Sequence, residues 1–291
     1  MKIVHFGDLH VWSRRMVWKE SYVPKRWMGS LNLLIRRARK FPKPFREAAL
    51  DAVLAEDADL VVFTGDFTNF SIRQEFAECA DLFAPLVEKM GERLFAIPGN
   101  HDCYTSRSVR EKLLEASLPW VRMDPVSRLD VNDRLTLLGV HHSVPLRFRS
   151  NGLVTETTQQ ALREAFNACR EENRTVLLAG HFAYATPVEH PETPEHKLLG
   201  DDLFADLLRE FSPSVYMHGH KHVRWAIRSS LTPDTLCLNC GSSSMKSKDP
   251  LKQAGFLSWD QKDDGTVENL QAHTYNGFDT WTKEPFPIRE V

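Results

Sequence analysis

The sequence predicts an α/β protein, and two patterns that recur through its 291 residues support this fold class. Short apolar runs, each closely followed by glycine and a polar side chain, are typical of buried strands that end in tight loops. Longer segments with apolar residues at helical spacing separate these runs. The runs and the loops after them are Ile3–Phe6 before Gly7-Asp8-Leu9-His10, Leu60–Phe63 before Gly65-Asp66, Leu94–Ile97 before Gly99-Asn100-His101-Asp102, Val176–Ala179 before Gly180-His181, and Val215–Met217 before Gly219-His220-Lys221-His222.

The five loops each present Asp, Asn or His directly after a predicted strand. Because α/β proteins display reactive side chains where buried strands emerge into loops, we expect the five loops to form one shared site. Asp8 and His10 lie two residues apart on an extended loop, so their side chains can converge on a single ion.

The other elements are predicted in order along the chain. Helices are expected over Phe45–Glu56, Ile72–Met90, Arg107–Ala116, Thr155–Glu172 (with Thr155 as its cap) and Leu203–Phe211, and further strands over Leu135–Val140, Leu236–Asn239, Gly255–Trp259 and Val267–Tyr275. Residues 183–200 contain three prolines, which predicts a surface loop that borders the site. We expect one domain over residues 1–291, with a C-terminal tail over 276–291.

The net charge of −2 conceals a strongly basic segment near the N-terminus. Residues 14–46 carry eleven Lys or Arg side chains and one acid, Glu20, whereas the remaining residues carry 26 basic and 38 acidic side chains. Residues 12–46 are therefore defined as the basic insertion. Its apolar residues at helical spacing predict a short amphipathic helix. They are Leu31, Leu34, Ile35 and Ala38, and Trp12, Trp18, Tyr22 and Trp27 lie in the same segment.

Three interpretations of the basic insertion remain open. In the first, it is a cap whose Arg36 and Arg37 bind a phosphate-rich substrate. In the second, its apolar stripe inserts into a membrane surface. In the third, it is a solvated helix that packs its apolar stripe against the body of the protein. Interleaved aromatic and basic residues also occur in nucleic-acid grooves. The rest of the chain is acidic and no nucleic-acid module accompanies the segment, so we do not expect a nucleic-acid partner.

Cysteine usage and hydropathy bear on the compartment. No stretch of 18 residues is apolar throughout, and the N-terminus enters a strand instead of a signal-peptide core. Five scattered cysteines favour reduced thiols, and the lone Cys237-x-x-Cys240 lacks the second pair of a zinc ribbon. We expect a cytoplasmic protein, with peripheral contact to the inner membrane face as an alternative.

The predicted site offers carboxylate, amide and imidazole donors without a thiolate. This set suits Mn²⁺, Fe²⁺ or Zn²⁺, and Mn²⁺ is the ion we expect to support activity in vitro. Seven donors exceed the needs of one ion, whereas two ions about 3.5–4 Å apart and bridged by a carboxylate accommodate them. Such a pair would activate water, and a histidine outside the ligand set could protonate the leaving oxygen. The seven candidates are Asp8, His10, Asp66, Asn100, His181, His220 and His222.

These motifs together carry a family resemblance. The pattern Asp8-x-His10, Gly65-Asp66, Gly99-Asn100-His101-Asp102, Gly180-His181 and Gly219-His220-x-His222 resembles the calcineurin-like metallophosphoesterase superfamily, in the family's order and across nearly the whole chain. The resemblance implies a two-layered β-sandwich flanked by helices, with a dinuclear metal site at its edge. The basic insertion would be an N-terminal cap on that fold.

The resemblance also implies a role for each matching residue. Asp8, His10, Asp66 and His222 would hold one metal ion, and Asp66, Asn100, His181 and His220 the other, with Asp66 as the bridge.

Catalytic and substrate-binding candidates lie around this ligand set. His101 matches the family's histidine that contacts the substrate phosphate or assists the leaving group. Asp102 would orient His101 or cap the helix that follows. Substrate-binding candidates are Arg36, Arg37 and His142. His141 and His142 follow the predicted strand Leu135–Val140, so one of them would border the substrate, and placement in the core or on the surface is the alternative.

Departures from subfamily patterns narrow the prediction. The Ser/Thr protein phosphatases carry Asp and Arg three and four residues after the bridging Asp, where this chain has Asn69 and Phe70. The third motif in chain order, here Gly99-Asn100-His101-Asp102, ends in Glu in those phosphatases and in Asp102 in this chain. One branch of bacterial UDP-2,3-diacylglucosamine pyrophosphatases has Arg in place of the third-motif histidine, and this chain keeps His101.

We therefore predict a dinuclear-metal-dependent phosphoesterase. It would hydrolyse a phosphodiester or pyrophosphate bond in a small or lipid-linked molecule by attack of a metal-activated hydroxide. The main alternative is an enzyme of the lipid A pathway that resembles UDP-2,3-diacylglucosamine pyrophosphatase and acts at the membrane surface. A phosphomonoesterase, a nuclease and a metal-free scaffold protein are further alternatives.

Overall fold

A computed structural model describes residues 1–13, 38–146 and 149–291. The strands are β1 (Lys2–Phe6), β2 (Leu60–Phe63), β3 (Leu94–Ala96), β4 (Val126–Asp130), β5 (Leu135–Val140), β6 (Gly152–Leu153), β7 (Thr175–Ala179), β8 (Leu198–Leu199), β9 (Val215–His218), β10 (Arg224–Ser229), β11 (Thr232–Cys240), β12 (Gly255–Gln261), β13 (Val267–Gly277), β14 (Thr280–Pro285) and β15 (Arg289–Glu290). The helices are α1 (Ala38–Lys40), α2 (Lys43–Ala55), α3 (Arg73–Met90), α4 (Ser106–Arg110), α5 (Leu113–Ser117), α6 (Glu156–Glu171) and α7 (Asp201–Phe211), with a 3₁₀ turn at Gly91–Arg93.

Two mixed sheets form the body of the molecule. The first sheet has the strand order β14-β13-β12-β1-β2-β3, and the second sheet has the order β15-β10-β11-β9-β7-β5-β4. In the first sheet β1, β2 and β3 run parallel, and in the second sheet β5, β7, β9 and β11 run parallel. The carboxyl ends of the parallel strands in each sheet therefore share one edge.

The strand pattern explains how the sheets pack face to face. Side chains on β1 and β2 alternate, so Ile3 and Val62 join the core between the sheets, whereas Val4 and Phe63 join the core beneath the helices. The same inter-sheet core contains Leu177 from the second sheet. Helices α2 and α3 cover the first sheet, and α6 and α7 cover the second. This arrangement is a two-layered β-sandwich flanked by helices, as the family resemblance implied.

Most predicted elements are present with shifted ends. Thr155 caps α6 as predicted, because its hydroxyl accepts a hydrogen bond from the Thr158 N–H. The predicted helix Arg107–Ala116 is wrong as a single element: Lys112, at φ 50°, separates α4 from α5. All five cysteines are buried free thiols, as expected.

The predicted C-terminal tail is also wrong. Residues 276–291 contain β14 and β15, which form an edge of the first sheet and an edge of the second. The side chains of β14 are mostly exposed and show no alternating apolar pattern, so no strand is predicted there. The strand is held in the sheet by its backbone pairing with β13.

Much of the basic insertion lies outside the described residues. The amphipathic helix predicted from Leu31, Leu34 and Ile35, and the substrate-binding role predicted for Arg36 and Arg37, concern positions among residues 14–37 and stay predictions. No helix in the described part of the chain has both the length and the apolar character needed to cross a bilayer.

Candidate metal centre

Five strand ends deliver the seven candidate ligands to one edge of the sandwich. Loops after β1, β2 and β3 supply Asp8, His10, Asp66 and Asn100, and loops after β7 and β9 supply His181, His220 and His222. Five of the seven adopt the left-handed backbone conformation that non-glycine residues seldom take. Their φ values are 54° at Asp8, 49° at His10, 61° at Asp66, 70° at His220 and 54° at His222. Such strain persists where the surrounding structure fixes it, and it clusters at functional sites.

Two glycines in the motifs allow these loops to approach closely. A Cβ atom at Gly99 would overlap the Asp66 carboxylate, and one at Gly219 would overlap the Asp8 carboxylate. The glycines in the third and fifth motifs are therefore required by contact with a ligand from another motif.

The first donor set combines Asp8, His10, Asp66 and His222. One ligand atom from each lies within 4.8 Å of all the others. The Nε2 atoms of His10 and His222 are 2.8 Å apart, and the His222 Nε2 is 3.1 Å from the Asp8 Oδ1. Asp8, His10 and Asp66 are buried, so the set is enclosed on the protein side. Imidazole and carboxylate atoms that converge this closely fit a divalent metal ion.

The second donor set is built around the amide oxygen of Asn100. That Oδ1 atom is 3.0 Å from the Nε2 of His181 and 3.0 Å from the Nδ1 of His220. The other nitrogen of each ring donates to a backbone carbonyl: His181 Nδ1 to Thr64 at 2.6 Å, and His220 Nε2 to His196 at 2.9 Å. These bonds fix the orientation of both rings and turn the Nε2 of His181 and the Nδ1 of His220 toward Asn100, in position to bind a metal ion.

Asp66 lies between the two donor sets. Its Oδ1 accepts a hydrogen bond from the His101 N–H at 2.8 Å, which directs Oδ2 toward the histidines. Oδ2 is 3.6 Å from the Nε2 of His10 and 3.5 Å from the Nε2 of His181. Burial disfavours its charged form, but His181, His101 and His10 hold the pKa of this carboxyl well below its usual range. Asp66 is therefore placed to bridge two cations.

The carboxylates also control the histidines of the second set. Burial lowers the pKa of His181, but the Asp66 and Asp8 carboxylates outweigh it and raise that pKa to about 9. Burial and the neighbouring His181 hold the pKa of His220 well below its usual value. His220 is thus neutral and ready to bind a cation, whereas His181 must lose a proton first.

His101 lies beside the first donor set without belonging to it. Its Nδ1 donates to the Asn69 carbonyl at 2.7 Å, and its ring meets the His10 ring edge-on at 4.8 Å. It stacks on Tyr104 at 5.4 Å and lines the cavity over the site. The hydrogen bond to the Asn69 carbonyl therefore fixes the orientation of the His101 ring at the edge of the cavity.

Asp102 has neither of the two roles predicted for it, which were to orient His101 or to cap the helix that follows. Its carboxylate accepts hydrogen bonds from the N–H groups of Asp66, Phe67, Thr68 and Gly99, at 2.9–3.2 Å. The cap of α4 is Thr105, with Ser108 in a capping box. Burial and the Asp66 carboxylate raise the pKa of Asp102 to about 7, against the lowering effect of the backbone donors. Asp102 thus ties the second and third motif loops together and neither orients the His101 ring directly nor caps the helix.

The prediction that His142 binds substrate is wrong. His142 is fully buried and lies outside the cavity, where its ring contacts Phe204 edge-on at 5.0 Å. Burial, helped by His141 and His181, lowers its pKa to about 3. The neutral ring therefore belongs to the core beneath α7.

A cavity of about 310 Å³ opens over the two donor sets. It is lined by Lys40, Asp66, Asn100, His101, Ser150, Thr193, His196, His220, Lys221 and His222. Thr193 and His196 belong to the proline-containing loop that the sequence predicted to border the site. Lys221 lies between the candidate ligands His220 and His222, and this position in the sequence could have identified it as a residue that lines the cavity. No pattern around Ser150 points to its place in the cavity lining.

Comparisons with known proteins agree with this geometry. The family model described as calcineurin-like phosphoesterase matches residues 1–224. A curated relative from Arcobacter nitrofigilis, a probable glycerophosphodiester phosphodiesterase named GpdQ, is 25% identical over 166 residues. That match covers 56% of this chain and 56% of the relative, so the chain spans little more than half the length of the curated relative it matches.

Solved structures show the same fold at low sequence identity. A dimetal phosphatase from Danio rerio superposes with a TM-score of 0.59 at 12% identity, covering 98% of this chain and 99% of that one. Purple acid phosphatase PPD1 from yellow lupin gives a TM-score of 0.61 at 12% identity, covering 100% of this chain and 54% of that one. The family match over residues 1–224, more than three quarters of the chain, shows that the chain belongs to the calcineurin-like phosphoesterase family.

Proposed function

We propose that this chain hydrolyses a phosphodiester bond in a small molecule with the help of two divalent metal ions. The observation that carries the proposal is the position of Asp66 between two donor sets. Asp8, His10 and His222 would hold one ion, Asn100, His181 and His220 the other, and Asp66 would contact both. Two such ions would supply a water activated at neutral pH and would neutralise charge on the phosphate oxygens.

The chain's own groups would position the substrate and move the proton. The cavity of about 310 Å³ is at the small end of ligand sites, which suits a compact phosphoester. In its doubly protonated form, with the Nδ1–H held by the Asn69 carbonyl, His101 would donate the Nε2 proton to the leaving alkoxide and remain as the neutral ring. The Asp66 carboxylate, fixed through the His101 N–H, links the position of this acid to that of the ligands.

Similarity to the probable glycerophosphodiester phosphodiesterase supports a diester over a monoester substrate. The matched region includes little more than half of each protein, so the substrate itself is part of the proposal. A pyrophosphate in a lipid-linked molecule is the second candidate carried by the motifs. It would depend on membrane contact through residues 12–46.

A pair of chromogenic substrates tests the proposed reaction. Metal-stripped protein is reconstituted with Mn²⁺ and assayed on a bis-aryl phosphodiester and on the matching aryl phosphomonoester. We expect metal-dependent hydrolysis with preference for the diester, and none by Asp66→Asn. Glu92→Gln, at an exposed position on the opposite edge of the sandwich, is the matched control and should behave as the unmodified protein. Preference for the monoester, or hydrolysis that is unchanged after metal removal, would overturn the proposal.

A further inference from the structure

Three consecutive serines lie fully buried between β11 and β12. Ser242, Ser243 and Ser244 have no exposed surface. They follow Gly241 in the connection that leads the chain from the second sheet to the first. None of the five motifs includes them.

All three serines hydrogen-bond the loop that carries the first motif. The Ser242 hydroxyl donates to the carbonyl of Asp8 at 2.7 Å, and the Ser244 hydroxyl donates to the carbonyl of Leu9 at 2.6 Å. The Ser243 N–H donates to the Gly7 carbonyl at 2.9 Å, and the Ser243 hydroxyl accepts from the Gly7 N–H at 3.2 Å. The backbone of residues 7–9 is therefore held at four points by one short segment.

The same connection also holds the fifth motif. The Asn239 amide at the end of β11 donates to the Gly219 carbonyl at 2.8 Å, and its oxygen accepts from the Gly241 N–H at 2.9 Å. Gly219 precedes His220 and His222. A continuous stretch from Asn239 to Ser244 thus contacts ligand loops from both sheets.

The first donor set needs such a link because its members come from different layers. Asp8 and His10 follow a strand of the first sheet, whereas His222 follows a strand of the second. Asp8, His10 and His222 all hold left-handed backbone, which relaxes readily if the loop is released. Metal–ligand distances in a working site are held within about 0.2 Å. Small shifts between the layers would therefore weaken binding.

We infer that Ser242 and Ser244 are positioning residues that set the metal affinity of the first donor set. The inference rests on the proposed dinuclear site. Loss of either hydroxyl leaves a buried carbonyl of residues 8–9 without its donor, and the loop must move to satisfy it. Outer groups that orient ligands in this way commonly change metal affinity by about 10–100-fold.

Titration of metal-free protein with Mn²⁺ tests this inference by calorimetry. We expect two equivalents to bind to the unmodified chain. Ser242→Ala should weaken one of them by about tenfold or more and leave the other within about threefold, with Ser244→Ala weakening the same equivalent. Ser258→Ala is the matched control, because Ser258 is a buried serine on β12 whose hydroxyl pairs with His273 at 2.8 Å, away from the ligand loops.

Thermal unfolding of the metal-free variants separates positioning from general destabilisation. We expect Ser242→Ala and Ser258→Ala to lower the metal-free melting temperature by similar amounts, while Ser242→Ala alone loses metal affinity. If Ser242→Ala does not fold, Ser244→Ala decides the question, since its partner Leu9 is not a ligand.

Two different failures are distinguishable. Equal Mn²⁺ affinity in Ser242→Ala, Ser244→Ala and the unmodified chain, or an equal loss in Ser258→Ala, would overturn the role of the serines and leave the metal site intact. Absence of Mn²⁺ binding in the unmodified chain would instead remove the proposed function.

Discussion

Both edges of the sandwich carry a cavity, and among the described residues the donor sets lie at one of these edges. At the carboxyl ends of the parallel strands, a cavity of about 310 Å³ is lined by four histidines, Asp66 and Asn100. At the amino ends, a larger cavity of about 410 Å³ is lined by Met1, Asp59, Leu60, Glu92, Arg93, Leu129, Asp130, Val131 and Asn132. The larger one offers carboxylates without imidazole. Chemistry, rather than volume, therefore locates the site.

The left-handed backbone residues also distinguish the two edges of the sandwich. At the amino edge, the left-handed residues Asp57, Asn173 and Ser212 are exposed and lie just after α2, α6 and α7. Left-handed residues are common after helices, where they close the last turn. At the carboxyl edge, the left-handed Asp8 and Asp66 are buried and follow strands. No helix end accounts for their conformation, which marks this edge as the functional one.

Replacing the shared carboxylate should give the largest effect. Asp66→Asn keeps the shape of the side chain and removes the negative charge between the donor sets. We expect the rate of hydrolysis to fall by at least about 10³-fold, the size of loss typical when one member of a catalytic group that acts as a unit is removed. Bound metal should fall with it, as measured by elemental analysis after dialysis. Full activity or full metal content in Asp66→Asn would contradict the assignment of this edge.

Removing His101 should slow the reaction without emptying the site. His101→Ala deletes the proposed acid and keeps all seven candidate ligands, so we expect the rate to fall by roughly 10²–10⁴-fold. Metal stoichiometry measured in parallel should stay that of the unmodified protein. The described contact of Asn69 with this ring is made by its backbone carbonyl, which Asn69→Ala retains, so this variant is the matched control and its rate should fall much less. An unchanged rate in His101→Ala would remove it from the mechanism.

Metal affinity should rise with pH. The pKa of His181 is raised to about 9 in the metal-free protein, and its proton must leave before Nε2 binds a cation. Below pH 9 this group alone weakens binding by about tenfold for each unit of pH. Calorimetry in buffers of different ionisation enthalpy should detect one released proton. Affinity that is independent of pH between 6.5 and 8.5 would contradict this.

The same group affects the stability of the metal-free protein in the opposite direction. Its pKa in the folded state lies above that of an unfolded histidine, about 6.5. The stabilisation is therefore complete below about pH 6.5 and is lost as the pH rises through about 9. Denaturant unfolding of metal-free protein at pH 6.5 and 9.5 measures the difference.

The smallest functional effect is expected at His142. Because its ring packs on Phe204 outside the cavity, His142→Ala should leave KM within about twofold. It should lower the free energy of unfolding, because deletion of the buried ring leaves a cavity in the core. An increase in KM without loss of stability would restore His142 to the substrate site.

The ligand loops could be predicted because their signals are local. An apolar strand, a glycine and a metal-binding side chain occupy a few adjacent positions, as at Leu60–Asp66, and the parallel strands bring the ends together. The glycines belong to the same signal, since Gly99 and Gly219 leave room for Asp66 and Asp8.

Other features depend on partners distant in the sequence. His142 is buried against Phe204. Arg224 on β10 is also buried, and its guanidinium is satisfied by hydrogen bonds that it donates to the carbonyls of residues 250 and 253. No pattern around either residue reveals these contacts. The role of Asp102 as an acceptor for four N–H groups likewise appears only once the loops are folded together.

The proposed function requires two metal ions that share Asp66 in one working site. The most direct measurement follows diester hydrolysis while metal-free protein is titrated with Mn²⁺, so that activity and bound equivalents are read from the same samples. We expect activity to reach its maximum at two equivalents of Mn²⁺ per chain. Maximal activity at one equivalent, or without bound metal, would contradict it.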